Sequence, residues 1–169
     1  KDIDGTNKCT LQRVLDSTTL LIMHNAQYDA GWLRQMDVPI NGRIVDTMIT
    51  ASLLDENRFS YSLNALSFDY LGKTKSEKLL TEAARDFGVD PKAEMWKLPA
   101  PYVGPYAEMD AELTLELWQE LKKEILHQDI QSIFDLETEL FPCLVDMRFL
   151  GVRVDLEAAT ELKKKLSSE

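Results

Sequence analysis

The strongest constraint on the fold is the uninterrupted apolar run at residues 19–23, Thr-Leu-Leu-Ile-Met. A run of this length without polar alternation predicts a β-strand that is covered on both faces. The residues that follow take up helical spacing, and we predict a helix from about Tyr28 to Met36, before Val38-Pro39. A strand that leads directly into a helix is the first half of an α/β unit.

The same order of elements then repeats. RIV at residues 43–45 predicts a short second strand, and Asp46 is placed to cap a helix through Leu54. Strand, helix, strand, helix is the order of an α/β fold, and the rest of the chain is predicted to be helical. Those further helices are expected at residues 10–17, 63–71 (capped by Ser62), 76–87, 105–126 (with Pro105 at its first position), 130–150 and 156–166 (capped by Asp155).

Composition narrows the possible functions. The formal charge of −10 argues against a broad nucleic-acid surface, because such surfaces depend on Lys and Arg releasing counterions. An acidic excess suits a metal-dependent phosphodiesterase, although it also serves plain solubility. No apolar run approaches the ~20 residues of a membrane span, so no membrane partner is expected. Cys9 and Cys143 match no metal-ligand spacing and predict reduced thiols in an intracellular protein, with Cys143 buried.

The helix predicted from Pro105 carries one acidic residue on its apolar stripe. At 100° per residue, Tyr106 and Asp110 share the stripe with Leu113, Leu117 and Leu121. A carboxylate that faces a core must be paired, hydrogen-bonded or bound to a cation. The Tyr106 phenol would lie beside this carboxylate, which suits a metal ion and an oriented water.

Two simpler interpretations of Asp110 stay open. It could form a salt bridge with a Lys or Arg from another element, or the stripe could be rotated so that Met109 points inward instead. The metal interpretation holds only if a divalent cation, and not a basic side chain, neutralises Asp110. A lysine partner would therefore remove its physical basis.

The junction between the first strand and its helix supplies further candidates. In α/β sheets, ligands collect where strands end and the following helices begin, which is where His24, Asn25 and Asp29 lie. Each has an ordinary alternative. Asp29 could simply interact with the helix dipole, Asn25 could be a turn residue, and His24 could be a half-buried imidazole.

These motifs resemble those of a known family. HNAQYD, with Asn25 and Asp29, and YAEMD, with Tyr106 and Asp110, resemble the second and third motifs of tyrosine-type 3′→5′ proofreading exonucleases with four acidic ligands. RIVDTMITASLLDEN and YSLNALSFDYLG resemble the segments between them in polymerase-I-type (family A) DNA polymerases. DLETELFPCLVDMRFLGVRVDLEAATELKKKL resembles the first helices of the polymerase domain, so the likeness covers nearly the whole chain from Thr10.

The resemblance implies a domain organisation and a set of residue roles. Residues 1–128 would be the C-terminal part of an exonuclease domain with a ribonuclease H-like α/β fold, and residues 129–169 the start of the polymerase domain. Asp110 would ligate a first metal, Asp29 would help to hold a second, and Tyr106 would orient the attacking water. Asn25 would help to position the 3′-terminal nucleotide.

The resemblance also implies the cofactors and the substrate. Two divalent ions, Mg²⁺ or Mn²⁺, would lie about 4 Å apart. The substrate would be a single-stranded 3′ end of DNA, from which a nucleoside monophosphate is released.

One part of the family pattern has no counterpart. The first motif, Asp-x-Glu on the first strand, is absent, and Asp2 and Asp4 of KDIDGT stand on no apolar strand. We therefore expect an N-terminally truncated fold that lacks its first strands and two of four carboxylates. The rest of the polymerase chain or a separate chain would supply them, and this chain alone would be nearly inactive.

Two other functions remain open on the sequence. The first is a non-catalytic exonuclease-like domain that supports a polymerase, which the absent first motif favours. The second is an RNA-trimming exonuclease similar to ribonuclease D. We rank it lower because its chain is not expected to continue into LFPCLVDMRFLGVRVD.

Overall fold

The computed structural model describes residues 5–168, so Asp2 and Asp4 lie outside the described residues. These residues form a small parallel sheet and a larger set of helices. In chain order the elements are α1 (Gly5–Asp16), β1 (Leu20–Met23), α2 (Ala26–Gln35), β2 (Arg43–Asp46), α3 (Thr47–Leu54), α4 (Leu63–Leu71), α5 (Lys78–Phe87), a 3-10 turn (Met95–Lys97), α6 (Ala100–His127), α7 (Gln131–Leu150) and α8 (Leu156–Leu166).

The sheet confirms the predicted α/β order. Strands β1 and β2 pair in parallel, from Leu20 opposite Arg43 to Met23 opposite Asp46. Gly42 permits this approach, because a Cβ there would lie 2.7 Å from the Thr18 carbonyl oxygen. The prediction that β1 is covered on both faces is wrong, since Leu20 is 44% exposed and the other β1 residues are only half-buried. Within residues 5–168, β1 has a partner strand on one edge only.

The main core lies where β2, α3, α4, α6 and α7 meet. Helix α6 contributes more buried side chains to this core than any other described element, and the Trp118 and Phe134 rings stack with their centroids 5.5 Å apart. The buried members of this core are Val45, Ala51, Leu54, Leu63, Leu66, Leu113, Leu117, Trp118, Leu121, Ile125 and Phe134. Phe134 therefore fastens α7, which begins beyond the predicted exonuclease segment, to the core of that segment.

Caps predict the ends of several helices correctly. Asp46 accepts from the Met48 N–H at the start of α3, Ser62 from Ala65 in α4, and Asp155 from Glu157 and Ala158 in α8. Gly72 ends α4 with a φ of 64°, a left-handed conformation that glycine adopts without strain.

Other helix boundaries were predicted wrongly. Helix α1 is longer than predicted, and α2 begins at Ala26, directly after the β1 junction. Helix α6 begins at Ala100 after Pro99, so Pro105 lies inside the helix and not at its first position. Pro105 has no N–H and so cannot donate a backbone hydrogen bond within the helix. The helix nevertheless continues through it over 28 residues.

The C-terminal helices leave much apolar surface uncovered. Phe141 is buried with Ala26 and Ala30 of α2, but other large apolar side chains of α7 and α8 are exposed. They include Ile133, Leu136, Met147, Leu150, Leu156, Leu162 and Leu166. Cys143 is also exposed, so the prediction that it is buried is wrong. Among residues 5–168, no helix combines the length and the hydropathy that a membrane-spanning segment requires.

Candidate active site

An open groove of about 990 Å³ runs between the end of β1, the start of α2 and the N-terminal half of α6. All four residues that the resemblance singles out line this groove, namely Asn25, Asp29, Tyr106 and Asp110. His24 and Lys75 line it as well. The two motifs, about eighty residues apart in sequence, therefore contribute side chains to one cleft.

Asp46 organises one wall of the groove. Asp46 is 8% exposed, and its carboxylate accepts from three backbone N–H groups: Asn25 at 3.0 Å, Ala26 at 2.7 Å and Met48 at 2.8 Å. Sequence reasoning identified only the cap on α3. The same carboxylate also holds the start of α2, because the parallel register places Asp46 opposite Met23, just before the junction. Asp46 thus fixes the direction in which α2 leaves the sheet.

Asn25 occupies the N-cap position of α2 in a left-handed conformation, with a φ of 59°. Asparagine tolerates this region better than most residues. Its side chain does not cap the helix and is exposed in the groove. The ordinary interpretation as a turn residue therefore accounts for its backbone, and the exposed amide group is accessible to a ligand in the groove.

His24 is half-buried, as its ordinary interpretation predicted. Its Nδ1 lies 2.9 Å from the Thr47 Oγ1, and Thr47 in turn donates to the Met23 carbonyl at 3.2 Å. Burial lowers the pKa of His24, and the negative charge of Asp46 only partly offsets this effect. The neutral imidazole is therefore the form that the folded protein favours.

Asp29 stands on the first turn of α2 at the rim of the groove. Its side chain is exposed overall, but partial desolvation of the carboxyl group raises its pKa, and the nearby charge of Asp46 raises it further. A carboxylate whose charge is disfavoured in this way gains from a nearby cation.

Tyr106 and Asp110 face the groove together, and Lys75 joins them. The Lys75 Nζ donates to the Tyr106 hydroxyl at 2.7 Å and to the Asp110 Oδ1 and Oδ2 at 3.2 and 3.3 Å. The Lys75 side chain is 13% exposed and that of Asp110 29% exposed. Burial on its own lowers the pKa of the Lys75 amine, but the hydrogen bond to Tyr106 and the charge of Asp110 outweigh it, so the pKa is raised.

This ion pair overturns the electrostatic argument made from sequence. The prediction that a basic side chain does not neutralise Asp110 is wrong, because Lys75 does so. Asp110 also faces the groove and not the core, and Met109 packs against the main core instead. The rotated stripe and the lysine partner, both weighed as alternatives, are what the structure contains. The placement of Asp110 therefore does not by itself indicate a nuclease.

Sequence reasoning missed Lys75. It lies in the connection between α4 and α5, in the segment GKTKSEK, which contains three lysines with no spacing to distinguish them. Lys73, two residues earlier, pairs instead with Glu116 at 2.6 Å. Only the folded path of this connection shows which lysine reaches the groove.

In the described part of the chain, the groove contains ligand atoms of the type that divalent ions prefer, but too few of them to complete a metal site. Carboxylate oxygens are the ligands that Mg²⁺ and Mn²⁺ prefer. Within residues 5–168, however, no group of three or more His, Cys, Asp or Glu side chains lies close enough together to hold an ion. Asp29 and Asp110 are therefore suitable contributors to a metal site but do not complete one.

We expect the stability of the protein to fall below about pH 6.5 because of His24. The lowered pKa means that the unfolded chain binds this proton more tightly than the folded chain does. The contribution is complete above the unfolded pKa of 6.5 and is lost as pH falls through the folded pKa. Urea unfolding at several pH values should show this decline, and His24→Gln should remove it.

The matched control is His127→Gln, since the side chain of His127 is 82% exposed at the end of α6. This variant should keep the pH dependence of the unmodified protein. If His24→Gln also keeps it, the acid sensitivity comes from other groups.

With the groove described, comparison with known proteins identifies the class to which the chain belongs. Residues 5–126 match the family described as 3′-5′ exonuclease, of the type found in family A DNA polymerases. The match covers the sheet, the groove and α6 almost to its end. The chain belongs to this exonuclease family, and this conclusion rests on the family match and not on the electrostatics of Asp110.

The relatives are polymerases of bacteriophages. The chain is 41% identical over 112 residues to a DNA-directed DNA polymerase of Pseudomonas phage M6, covering 66% of this chain and 17% of that protein. It is 37% identical over 144 residues to DNA polymerase DpoZ of Salmonella phage PMBT28, covering 82% and 23%. It is 30% identical over 152 residues to DpoZ of Acinetobacter phage SH-Ab 15497, covering 86% and 24%. The matched part of the chain thus spans between 17% and 24% of the length of these relatives.

Proposed function

We propose that this chain is the exonuclease segment of a DNA polymerase and that it removes nucleotides from a single-stranded 3′ end of DNA. One observation carries the proposal: Asn25, Asp29, Tyr106 and Asp110, from two motifs far apart in sequence, line a single groove. The family match over residues 5–126 and the phage polymerase relatives support it. The activity belongs to the complete polymerase, acting in the cytoplasm of an infected cell.

In the complete protein, the groove would hold two divalent ions, Mg²⁺ or Mn²⁺. Such a pair activates a water and stabilises the leaving 3′ oxygen in phosphodiester hydrolysis. Asp29 and Asp110 are the ligands that this chain would contribute. The further carboxylates come from residues other than those described, because two carboxylates alone neither offset the charge of the ions nor complete their coordination.

The remaining groove residues act on the substrate and the water. We propose that the Tyr106 hydroxyl orients the attacking water, since it is a donor and an acceptor beside Asp110. The exposed amide of Asn25 would hydrogen-bond the terminal nucleotide. An open groove suits an unpaired end, which is narrower than a duplex, and the charge of −10 makes broad contact with duplex phosphates unfavourable.

The small sheet is proposed to be part of a ribonuclease H-like sheet. Within residues 5–168, the outer edge of β1 has no partner strand, and unpaired edges invite pairing. The rest of the polymerase or a separate chain would supply the neighbouring strands. The same addition would cover the half-exposed side chains of β1.

Residues 129–169 are proposed to begin the polymerase domain. The change of direction between α6 and α7 supports a boundary there, with Asp129 in a left-handed conformation at a φ of 55°. The uncovered apolar side chains of α7 and α8 also support it, because they suit packing against a further domain. Since Phe134 and Phe141 pack on the exonuclease segment, α7 would connect the two domains rigidly.

A second candidate function is a non-catalytic scaffold for the polymerase. The Lys75–Asp110 ion pair favours it, because Asp110 already has a cationic partner and needs no metal for its burial. The two functions differ in one respect that can be measured, namely whether a DNA 3′ end is shortened.

The test is a degradation assay with the polymerase-length protein and a 5′-labelled single-stranded DNA. With Mg²⁺ or Mn²⁺ we expect stepwise shortening from the 3′ end and release of nucleoside monophosphates. A chelator should stop the reaction, and a fully paired blunt end should be degraded much more slowly. Absence of shortening with folded, polymerisation-competent protein would establish the scaffold. Faster trimming of RNA than of DNA would instead indicate a ribonuclease D-like function.

A further inference from the structure

Lys75 places a positive charge where the proposed metal ligand lies. Its Nζ is 2.7 Å from the Tyr106 hydroxyl, 3.2 and 3.3 Å from the two Asp110 oxygens, and 3.9 Å from the Glu77 carboxylate. It also lies 4.6 Å from the centroid of the Tyr106 ring. With a side chain that is 13% exposed, this ammonium is held mainly by the groove and not by water.

The carboxylate of Asp110 already binds one cation, the Lys75 ammonium. Both carboxylate oxygens already accept from the same ammonium, and the tyrosine hydroxyl is bound to it too. A divalent ion on these oxygens would meet the Lys75 charge at short range, and like charges a few ångströms apart repel strongly. Lys75 and a divalent ion therefore compete for Asp110.

We propose that Lys75 is the built-in counter-ion of Asp110, a positioning residue that holds Asp110 and Tyr106 in place without metal and must move away before an ion binds. This inference rests on the proposed role of Asp110 as a metal ligand. The contacts of Lys75 explain how Asp110 and Tyr106 keep their arrangement when no metal ion is bound. The Lys75 charge also makes a divalent ion bind Asp110 more weakly than it would if Lys75 were absent.

The test measures Mn²⁺ binding to the whole protein by electron paramagnetic resonance, with Asp110→Asn identifying the ions that depend on Asp110. Lys75→Met removes the competing charge, so we expect Mn²⁺ to bind about tenfold more tightly at Asp110. Lys75→Arg keeps the charge and should bind like the unmodified protein. Lys73→Met is the matched control, because it removes a charge two residues away that pairs with Glu116 outside the groove lining.

The possible outcomes separate this inference from the proposed function. Unchanged or weaker binding in Lys75→Met, with binding still lost in Asp110→Asn, would overturn the role of Lys75 and leave the metal site standing. Binding that Asp110→Asn does not alter would overturn both. An equal gain in Lys73→Met would show a general charge effect and also overturn the inference.

A measurement on the unmodified protein covers the case in which Lys75→Met does not fold. In protein labelled with ¹³C at the lysine Cε, Mg²⁺ should shift the Lys75 signal as its ammonium leaves Asp110. The Lys73 signal should stay in place. A Lys75 signal that does not respond at saturating Mg²⁺ would contradict the displacement.

Discussion

Asp46→Ala is expected to lower the free energy of unfolding by about 3 kcal/mol, a larger loss than any other single cap in the chain should give. Asp46 is buried, and its carboxylate accepts from the backbone N–H groups of Asn25, Ala26 and Met48. Its removal leaves three backbone donors at the starts of two helices without their acceptor. Hydrogen bonds to a charged, partly desolvated acceptor are stronger than those between neutral groups.

Urea unfolding, followed by circular dichroism, measures this loss. Asp46→Asn should fall between Asp46→Ala and the unmodified protein, since an amide keeps one acceptor oxygen and loses the other. The matched control is Asp155→Ala, an exposed cap that accepts from Glu157 and Ala158 at 3.0 Å each and should cost about 1 kcal/mol. If Asp46→Ala costs no more than Asp155→Ala, the link between α2 and α3 is not important for stability.

One of the two roles of Asp46 could be predicted from the sequence and the other could not. Its cap on α3 was predictable, because an acidic residue between a strand and an apolar helix is a local signal. Its hold on α2 was not, because that contact depends on the parallel register of β1 and β2, which a single sequence does not contain. The parallel pair itself followed from the order of the elements.

Helix α6 shows the same division between local and tertiary signals. Its buried residues Leu113, Leu117 and Leu121 follow from the 3.6-residue period. A proline favours the first position of a helix, which predicts a start at Pro105, but the helix begins five residues earlier, at Ala100. Periodicity puts Asp110 on the core-facing stripe, whereas in the structure it faces the groove. Periodicity also does not show which side chain lies opposite. The partner, Lys75, comes from a connection whose path depends on the packing of α4 and α5.

The set of residues that line the groove was predicted from the resemblance to a known family, because physical arguments from the residues alone left ordinary alternatives open. The residues Asn25, Asp29, Tyr106 and Asp110 were named from two motifs, and the fold brings all four to one cleft. Their roles toward ions and DNA stay proposals. Lys75 neutralises Asp110, so the lysine salt bridge that the sequence left open is present and the metal interpretation loses its physical basis in burial alone.

Asp110→Asn in the polymerase-length protein is expected to reduce 3′→5′ degradation of single-stranded DNA by more than about 100-fold. Groups that merely support a metal ligand are worth 10- to 100-fold, so loss of a ligand charge should cost more. The amide has nearly the size of the carboxylate, and the change therefore tests charge and not packing. Extension of a primed template should continue at its normal rate, because the substitution lies in the exonuclease groove and not in the polymerase domain.

Glu112→Gln is the matched control for this substitution. Glu112 is exposed on the same helix, two residues further along, and does not line the groove. It loses the same charge and should degrade DNA at the normal rate. Because Asp110→Asn also removes the nearer of the two carboxylates beside the Lys75 ammonium, thermal unfolding must confirm that the variant is folded. If folded Asp110→Asn degrades DNA at the normal rate, Asp110 is not a catalytic group. A metal ligand should lose activity on this change, whereas a carboxylate with only a structural role should not.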